Sequence, residues 1–244
     1  MCTVTYIPME NGFVLTSSRD EKVYRPTFSP ASHLHGSQNI IYPKDKLAGG
    51  TWFAVNGQKE TACLLNGGLE NHVKKDYYKK SRGKVLLDSF EYDDVAYFIM
   101  SYNFEDIEPF TLLVIRKSIF SVIVWDGLTI SLKQVDDKKP TIWSSVTLYD
   151  RETIQQREKW FARWLQRNSS APDFNIREFH SYRHDENPVY DILMKRKDGL
   201  QTVSITQLIA DDQMGVLVYT DLLDRKTFVI DMPHEKGDFF PQHV

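Results

Sequence analysis

Apolar and polar positions alternate in several short runs of this chain, and the runs come in pairs. Thr3 to Ile7 and Phe13 to Ser17 read as two β-strands, with Val4 and Tyr6 on one face of the first and Phe13 and Leu15 alternating in the second. Met9-Glu10-Asn11-Gly12 lies between them, and Asn-Gly is a strong hairpin signal because both residues tolerate positive φ. A second hairpin, Trp52 to Val55 and Gln58 to Leu65, turns at Asn56-Gly57. Further strands are predicted over Phe110 to Arg116, Ile119 to Trp125 and Leu128 to Lys133. Three more follow late in the chain: Thr202 to Ile209, Val216 to Asp221 and Thr227 to Asp231.

Between these runs the period changes. Gly68 to Ser81 reads as a helix with a strongly basic face, and Val85 to Ser101 as one or two short helices. Asp150 is placed to cap a long amphipathic helix reaching about Arg167, with Ile154, Phe161, Trp164 and Leu165 on one face. A short helix is expected over Val189 to Arg196. Residues 27–48 read as a polar loop, 168–187 as polar connecting sequence, and the tail from Pro233 as frayed. Strands at both ends with helices between predict an α+β fold with antiparallel sheets. With no internal repeat, low-complexity run or linker to divide it, residues 1–244 are expected to form a single domain.

Composition narrows the function classes. Hydrophobic residues make up 41% of the chain, enough for a sizeable core, which excludes intrinsic disorder. A formal net charge of −3 argues against a nucleic-acid partner, since such binding neutralises phosphates with a basic surface. No apolar run is long enough for a membrane span, and no signal peptide precedes Cys2, so a cytoplasmic protein is expected. The two cysteines, Cys2 and Cys63, supply neither a disulfide framework nor a cysteine-based zinc site, and Cys63 sits in an apolar strand run. His33-x-His35 and His180-x3-His184 have spacings open to metal ligation, but both lie in polar loop sequence without a cysteine cluster, so no metal is expected. The basic run Lys74, Lys75, Lys79, Lys80, Arg82 and Lys84 reads as a solvated face. No phosphate-binding glycine loop or dinucleotide fingerprint is present, and no cofactor is expected.

Candidate chemistry concentrates at the start. If Met1 is removed, Cys2 carries both a thiol nucleophile and an α-amine of pKa about 7.7–8.0, a base suited to neutral pH. A loop over residues 9–12 sets Cys2 opposite Arg19, and a two-residue loop at 11–12 sets it opposite Glu21. Either register brings Cys2 to the cluster Arg19-Asp20-Glu21, where a guanidinium stabilises a thiolate and a carboxylate orients an ammonium. The competing readings are a small apolar residue at position 2 and a charged hairpin end in solvent.

The opening segment resembles the NRDE family, also called the transport and Golgi organisation protein 2 family. The resemblance rests on Met1-Cys2, a hairpin leading to Ser18-Arg19-Asp20-Glu21, then Arg25-Pro26 and Gly49-Gly50-Thr51-Trp52. Leu65-Asn66 at a strand end and Ser81-Arg82-Gly83 before an apolar segment complete it. These markers span roughly the first third of the chain and thin out beyond about residue 135. The family is similar in fold to the N-terminal nucleophile hydrolases, especially the cysteine amidases that cleave bile-salt conjugates and penicillin V. The resemblance therefore implies a four-layer αββα sandwich of two antiparallel sheets between helices.

It also implies catalytic roles for Cys2, Arg19, Asp20 and Asn66, with Asn66 supplying an amide N–H to an oxyanion. The alternative for Asn66 is a turn residue before Gly67-Gly68. The chain departs from the amidase pattern in several places. Ser18 replaces the first Asn of the motif, and the Arg19-Asp20 spacing differs from theirs. Trp143-Ser144-Ser145-Val146 stands where they carry a second asparagine. No late arginine is matched near Thr202-Val203-Ser204. The expected function is an amidohydrolase acting on a linear amide or related acyl bond of a small molecule. The alternative keeps the fold without the chemistry and binds or carries a ligand, haem among them, although no Cys-Pro or His-Met haem motif occurs.

Overall fold

In the computed structural model, which describes residues 3–170, 172–233 and 242–243, the alternating start of the chain forms strands β1 (Thr3–Met9) and β2 (Gly12–Lys22). They pair antiparallel from Thr3↔Ser18 to Met9↔Gly12, leaving Glu10 and Asn11 as the turn. Neither Asn11 nor Gly12 takes a positive φ. Glycine serves another purpose at position 12: a Cβ there would lie 2.0 Å from the carbonyl oxygen of Ala210. Cys2 lies outside the described residues.

Contacts gather the chain into two compact units, one of Pro26–Asp137 and one of Met1–Arg25 with Lys138–Val244. The first of these is a seven-stranded antiparallel meander in chain order. Its strands are β3 (Thr27–His35), β4 (Gln38–Asp45), β5 (Phe53–Asn56), β6 (Thr61–Asn66), β7 (Phe110–Arg116), β8 (Ile119–Trp125) and β9 (Ile130–Gln134). Helices α1 (Arg82–Asp88) and α2 (Val95–Ser101) fall between β6 and β7. Residues 27–48 are thus a hairpin and not the loop expected. β3 is an edge strand with mostly exposed residues, so its alternation is diluted, while Ile40, Ile41 and Tyr42 of β4 are buried.

The basic helix expected over Gly68 to Ser81 does not form; α1 begins at Arg82. Leu69, Val73 and Tyr77 remain exposed, and a short helix with no packed face is marginal in water. Two glycine-bearing markers meet just beyond it. A Cβ on Gly50 would lie 2.6 Å from the Gly83 carbonyl carbon, and one on Gly83 would lie 2.5 Å from the Thr51 oxygen. Thr51 N donates to Gly83 O across that contact at 3.3 Å.

The other unit holds β10 (Thr141–Ser144), α3 (Arg151–Arg167), α4 (Pro172–Ser181), β11 (Leu200–Asp211), β12 (Met214–Asp221), β13 (Lys226–Pro233) and the short β14 (Gln242–His243). Its sheet runs β10-β1-β2-β11-β12-β13-β14, all antiparallel. Asp150 caps α3 as expected, accepting from Thr153 N at 2.8 Å. α4 lies in what reads as polar connecting sequence. Its inward residues Ile176 and Phe179 pack with Trp160 and Phe161 of α3 on Ile7 and Val14 of the first hairpin. Each fully buried side chain of this kind contributes about 1.5–3 kcal/mol. Residues 189–196 form turns instead of the expected helix. The Asp191 carboxylate collects the amides of His184, Asp185 and Ile192, a local bonding pattern that competes with helix. Two antiparallel sheets with four α-helices make the fold α+β among the described residues.

Candidate functional site

β2 carries charge where a central strand usually carries apolar side chains. Arg19 is 3% exposed and Asp20 is 2% exposed. Strand alternation sends these neighbours to opposite faces of the sheet. Asp20 is held by two hydroxyls: Tyr149 Oη donates to Oδ2 at 2.7 Å and Thr202 Oγ1 donates to Oδ1 at 2.6 Å. Thr202 reaches that position through a bulge. Thr202 opposes Asp20 and Ser204 opposes Arg19, so Val203 is the extra residue in β11. Met194 N donates to Thr202 Oγ1 at 2.9 Å, which orients the hydroxyl proton toward the carboxylate. Arg19 Nη1 donates to Arg25 O at 3.4 Å, and Arg25 pairs in turn with Glu21 at 3.1 Å.

Behind Tyr149 lies a fully buried cation. The guanidinium of Arg157, on α3, stands 3.5 Å from the centre of the Tyr149 ring. It donates to Thr3 Oγ1 at 2.6 Å, to Tyr190 O at 3.1 Å and to Asp191 O. One helix residue therefore ties the start of β1 to the tyrosine that holds Asp20. His180, also fully buried, performs a similar task on β1 and β2. Its Nε2 is 2.8 Å from Thr5 Oγ1 and its Nδ1 is 2.7 Å from Ser18 Oγ. Burial, reinforced by His184 and Arg157, pushes its pKa down to about 3, so the ring is neutral and donates to one hydroxyl while accepting from the other.

The remaining sequence candidates sit as follows. Ser144 pairs with Thr3, which puts the Trp143-Ser144-Ser145-Val146 stretch beside the start of β1. Ser204 Oγ is buried with no hydrogen-bond partner among the described residues. Asn66, the last residue of β6, belongs to the other unit, beside a hydrogen-bonded turn. Gly67 takes φ +89°, its N–H donates to Pro109 O at 3.0 Å, and Thr111 Oγ1 donates to its carbonyl at 3.0 Å. A Cβ on Gly68 would lie 2.6 Å from Trp125 O.

Neither histidine pair forms a shared metal site. Both nitrogens of His180 are taken by hydroxyls, and His184 bonds Phe179 O at 2.8 Å with its ring against Trp160. His33 lies on the Tyr42 ring. His35 stands with Asp88 and Glu91, Nε2 being 3.7 Å from Asp88 Oδ1 and 3.2 Å from Glu91 Oε1. Lys80 Nζ and Tyr102 Oη both donate to Asp88 Oδ2 at 2.6 Å, so this group already has a cation of its own. Cys63 is fully buried in β6, as its apolar run implies.

The roles of Tyr149, Thr202, Arg157 and His180 escaped the sequence reading, which noted His180 only for its spacing from His184 and Thr202 only as a strand residue. Arg157 had a further signal there. It falls one turn from Ile154 and one turn from Trp160 and Phe161, inside the apolar stripe of α3.

This chain path is shared with solved enzymes. A mutant conjugated bile acid hydrolase from Clostridium perfringens superposes with a TM-score of 0.59 at 8% identity, covering 100% of this chain and 97% of that one. The Caenorhabditis elegans N-acylethanolamine-hydrolyzing acid amidase ortholog gives 0.53 at 12% identity, covering 85% of this chain and 92% of that one. The likeness defines the fold as that of the N-terminal nucleophile hydrolases. The chain belongs to the Transport and Golgi organisation 2 family, whose family model matches residues 1–215. No curated protein matches it in sequence. Among the described residues, no helix is long and apolar enough to cross a membrane.

Proposed function

We propose that this chain is an N-terminal cysteine amidohydrolase acting on a linear amide or related acyl bond of a small molecule. The buried Arg19-Asp20 pair carries the reading. Burying two charges in a central strand costs several kcal/mol per ion, a cost that a strand with only structural duty avoids by using apolar residues. The hairpin register supports it as well. Of the two registers open from sequence, the observed pairing of Thr3 with Ser18 is the one from which Cys2 was expected opposite Arg19. The two faces then divide the labour: the guanidinium serves the thiolate, and the carboxylate serves the amine.

In this mechanism Met1 is removed and the Cys2 amine takes the thiol proton. The thiolate attacks the acyl carbon, a C–S bond forms, and the carbonyl electron pair moves onto oxygen, where the Asn66 amide donates. Collapse breaks the C–N bond, and the leaving amine takes the proton held by the ammonium. Water then hydrolyses the thioester, releasing the acid and restoring the thiol.

The test runs N-acyl amides, acyl-homoserine lactones and β-lactams on wild type, Cys2→Ala and Asn66→Ala, with intact mass of the native N-terminus. Cys2→Ala should abolish turnover, and Asn66→Ala should lower kcat by about 10²–10³ with a smaller change in KM. Retained Met1 with no turnover on any substrate, beside saturable haem binding that survives Cys2→Ala, would replace the enzyme with a ligand carrier.

A further inference from the structure

Residues 69–79 are where periodicity and backbone disagree most. Leu69, Val73 and Tyr77 recur at every fourth position, a spacing that aligns them along one side of a helix. The backbone there carries no helix, and the three side chains are 66%, 94% and 72% exposed. The same stretch gathers cations. Within 69–79, Lys74, Lys75 and Lys79 stand against Glu70 and Asp76, three against two and so net +1, and Lys80, Arg82 and Lys84 just beyond raise 68–84 to net +4, in a chain of net −3. Of these cations Lys75, Lys80 and Arg82 pair with Asp106, Asp88 and Glu108. Both ends are tied down: Gly67 bonds Pro109 O at 3.0 Å, and Lys79 N donates to Asp106 O at 2.9 Å. The span between these anchors holds its apolar residues outward.

We propose that residues 69–79 dock this protein on an anionic lipid surface, with Leu69, Val73 and Tyr77 entering the interface. In water the segment has no apolar surface to fold against, and a helix this short does not form alone. A bilayer interface supplies that surface, and the segment takes up its helical period there. Wound as a helix, Lys74, Lys75 and Lys79 lie off the apolar side, level with lipid headgroups. Net positive charge selects an anionic leaflet, each lysine contributing about fivefold in affinity. Three apolar side chains each exposed by about two-thirds or more, flanked by lysines, suit a fluid lipid boundary.

The experiment is flotation of the full chain with vesicles of phosphatidylcholine alone and of phosphatidylcholine containing roughly a third phosphatidylserine, at low and high salt. Binding is expected only to the anionic vesicles, weakening with salt, with a gain of helical circular dichroism. Lys74→Gln with Lys79→Gln should weaken binding about 25-fold. Leu69→Ser, Val73→Ser and Tyr77→Ser together should remove the bound fraction and the helical gain. All five positions are exposed, so an unchanged melting temperature checks the fold of both variants. No binding to anionic vesicles, or binding that the triple variant retains, would overturn the proposal. Capture by polyglutamate that the triple variant also retains would assign the surface to an acidic polypeptide instead.

Discussion

His180 makes the stability of this protein depend on acid. Its pKa is about 3 when folded and has an ordinary value of 6.5 when exposed. The unfolded chain therefore binds the extra proton first as pH falls. Stability from the neutral ring is complete above about pH 6.5 and is lost progressively toward pH 3. From those two values the loss relative to pH 8 is about 2 kcal/mol at pH 5 and about 3 kcal/mol at pH 4, a slope of roughly one proton. The comparison is His180→Gln, whose amide still donates and accepts between Thr5 and Ser18 but does not titrate. Urea unfolding read by tryptophan fluorescence, at a series of pH values from about 8 to 4.5, supplies both curves. The His180→Gln variant should be less stable than wild type at pH 8, yet its acid limb should be flatter by about one proton. Parallel limbs in the two proteins would refute the reasoning, because the folded ring would then protonate as readily as the unfolded one.

Other consequences are equally concrete. Tyr149→Phe removes the 2.7 Å bond to the buried Asp20 carboxylate and should cost about 1.5–3 kcal/mol in urea unfolding; Thr202→Val, which also strips a donor from Asp20, should cost a similar amount. Gly83→Ala drives a Cβ to 2.5 Å from the Thr51 oxygen and should destabilise by about 1–3 kcal/mol by the same measurement, whereas wild-type stability would mean the two segments part freely.

What the sequence disclosed followed the physics of each element. The first hairpin, the strands from Phe110 to Trp125 and the helix capped by Asp150 were legible because a strong period coincides with burial or a cap. β3 was hidden because an edge strand keeps polar residues on both faces, and α4 because its inward residues are few and set among charges. The 68–81 segment misled in the opposite sense: it has a helical period but nothing to pack on. Of the candidate site, the sequence singled out Arg19 and Asp20 from their place beside a hairpin, and the structure finds both buried in β2. Their holders were not legible. Tyr149 and Thr202 lie 129 and 182 residues away from Asp20, and only a bulge at Val203 turns Thr202 toward it. No local pattern encodes a meeting of that kind.

The contact between Gly49-Gly50-Thr51 and Ser81-Arg82-Gly83 bears on how such chains are told apart. Two of the sequence marks by which this family is recognised exist here because two backbones touch with no room for a side chain between them. They certify the scaffold and are silent on turnover. On the proposed hydrolase reading, a descendant that had lost Cys2 would still need both glycines and would still be sorted with the family. On that same reading, the probe that separates a hydrolase from a bare scaffold is the pair of buried charges in β2 together with the hydroxyls that hold Asp20, groups that the glycine contact does not require.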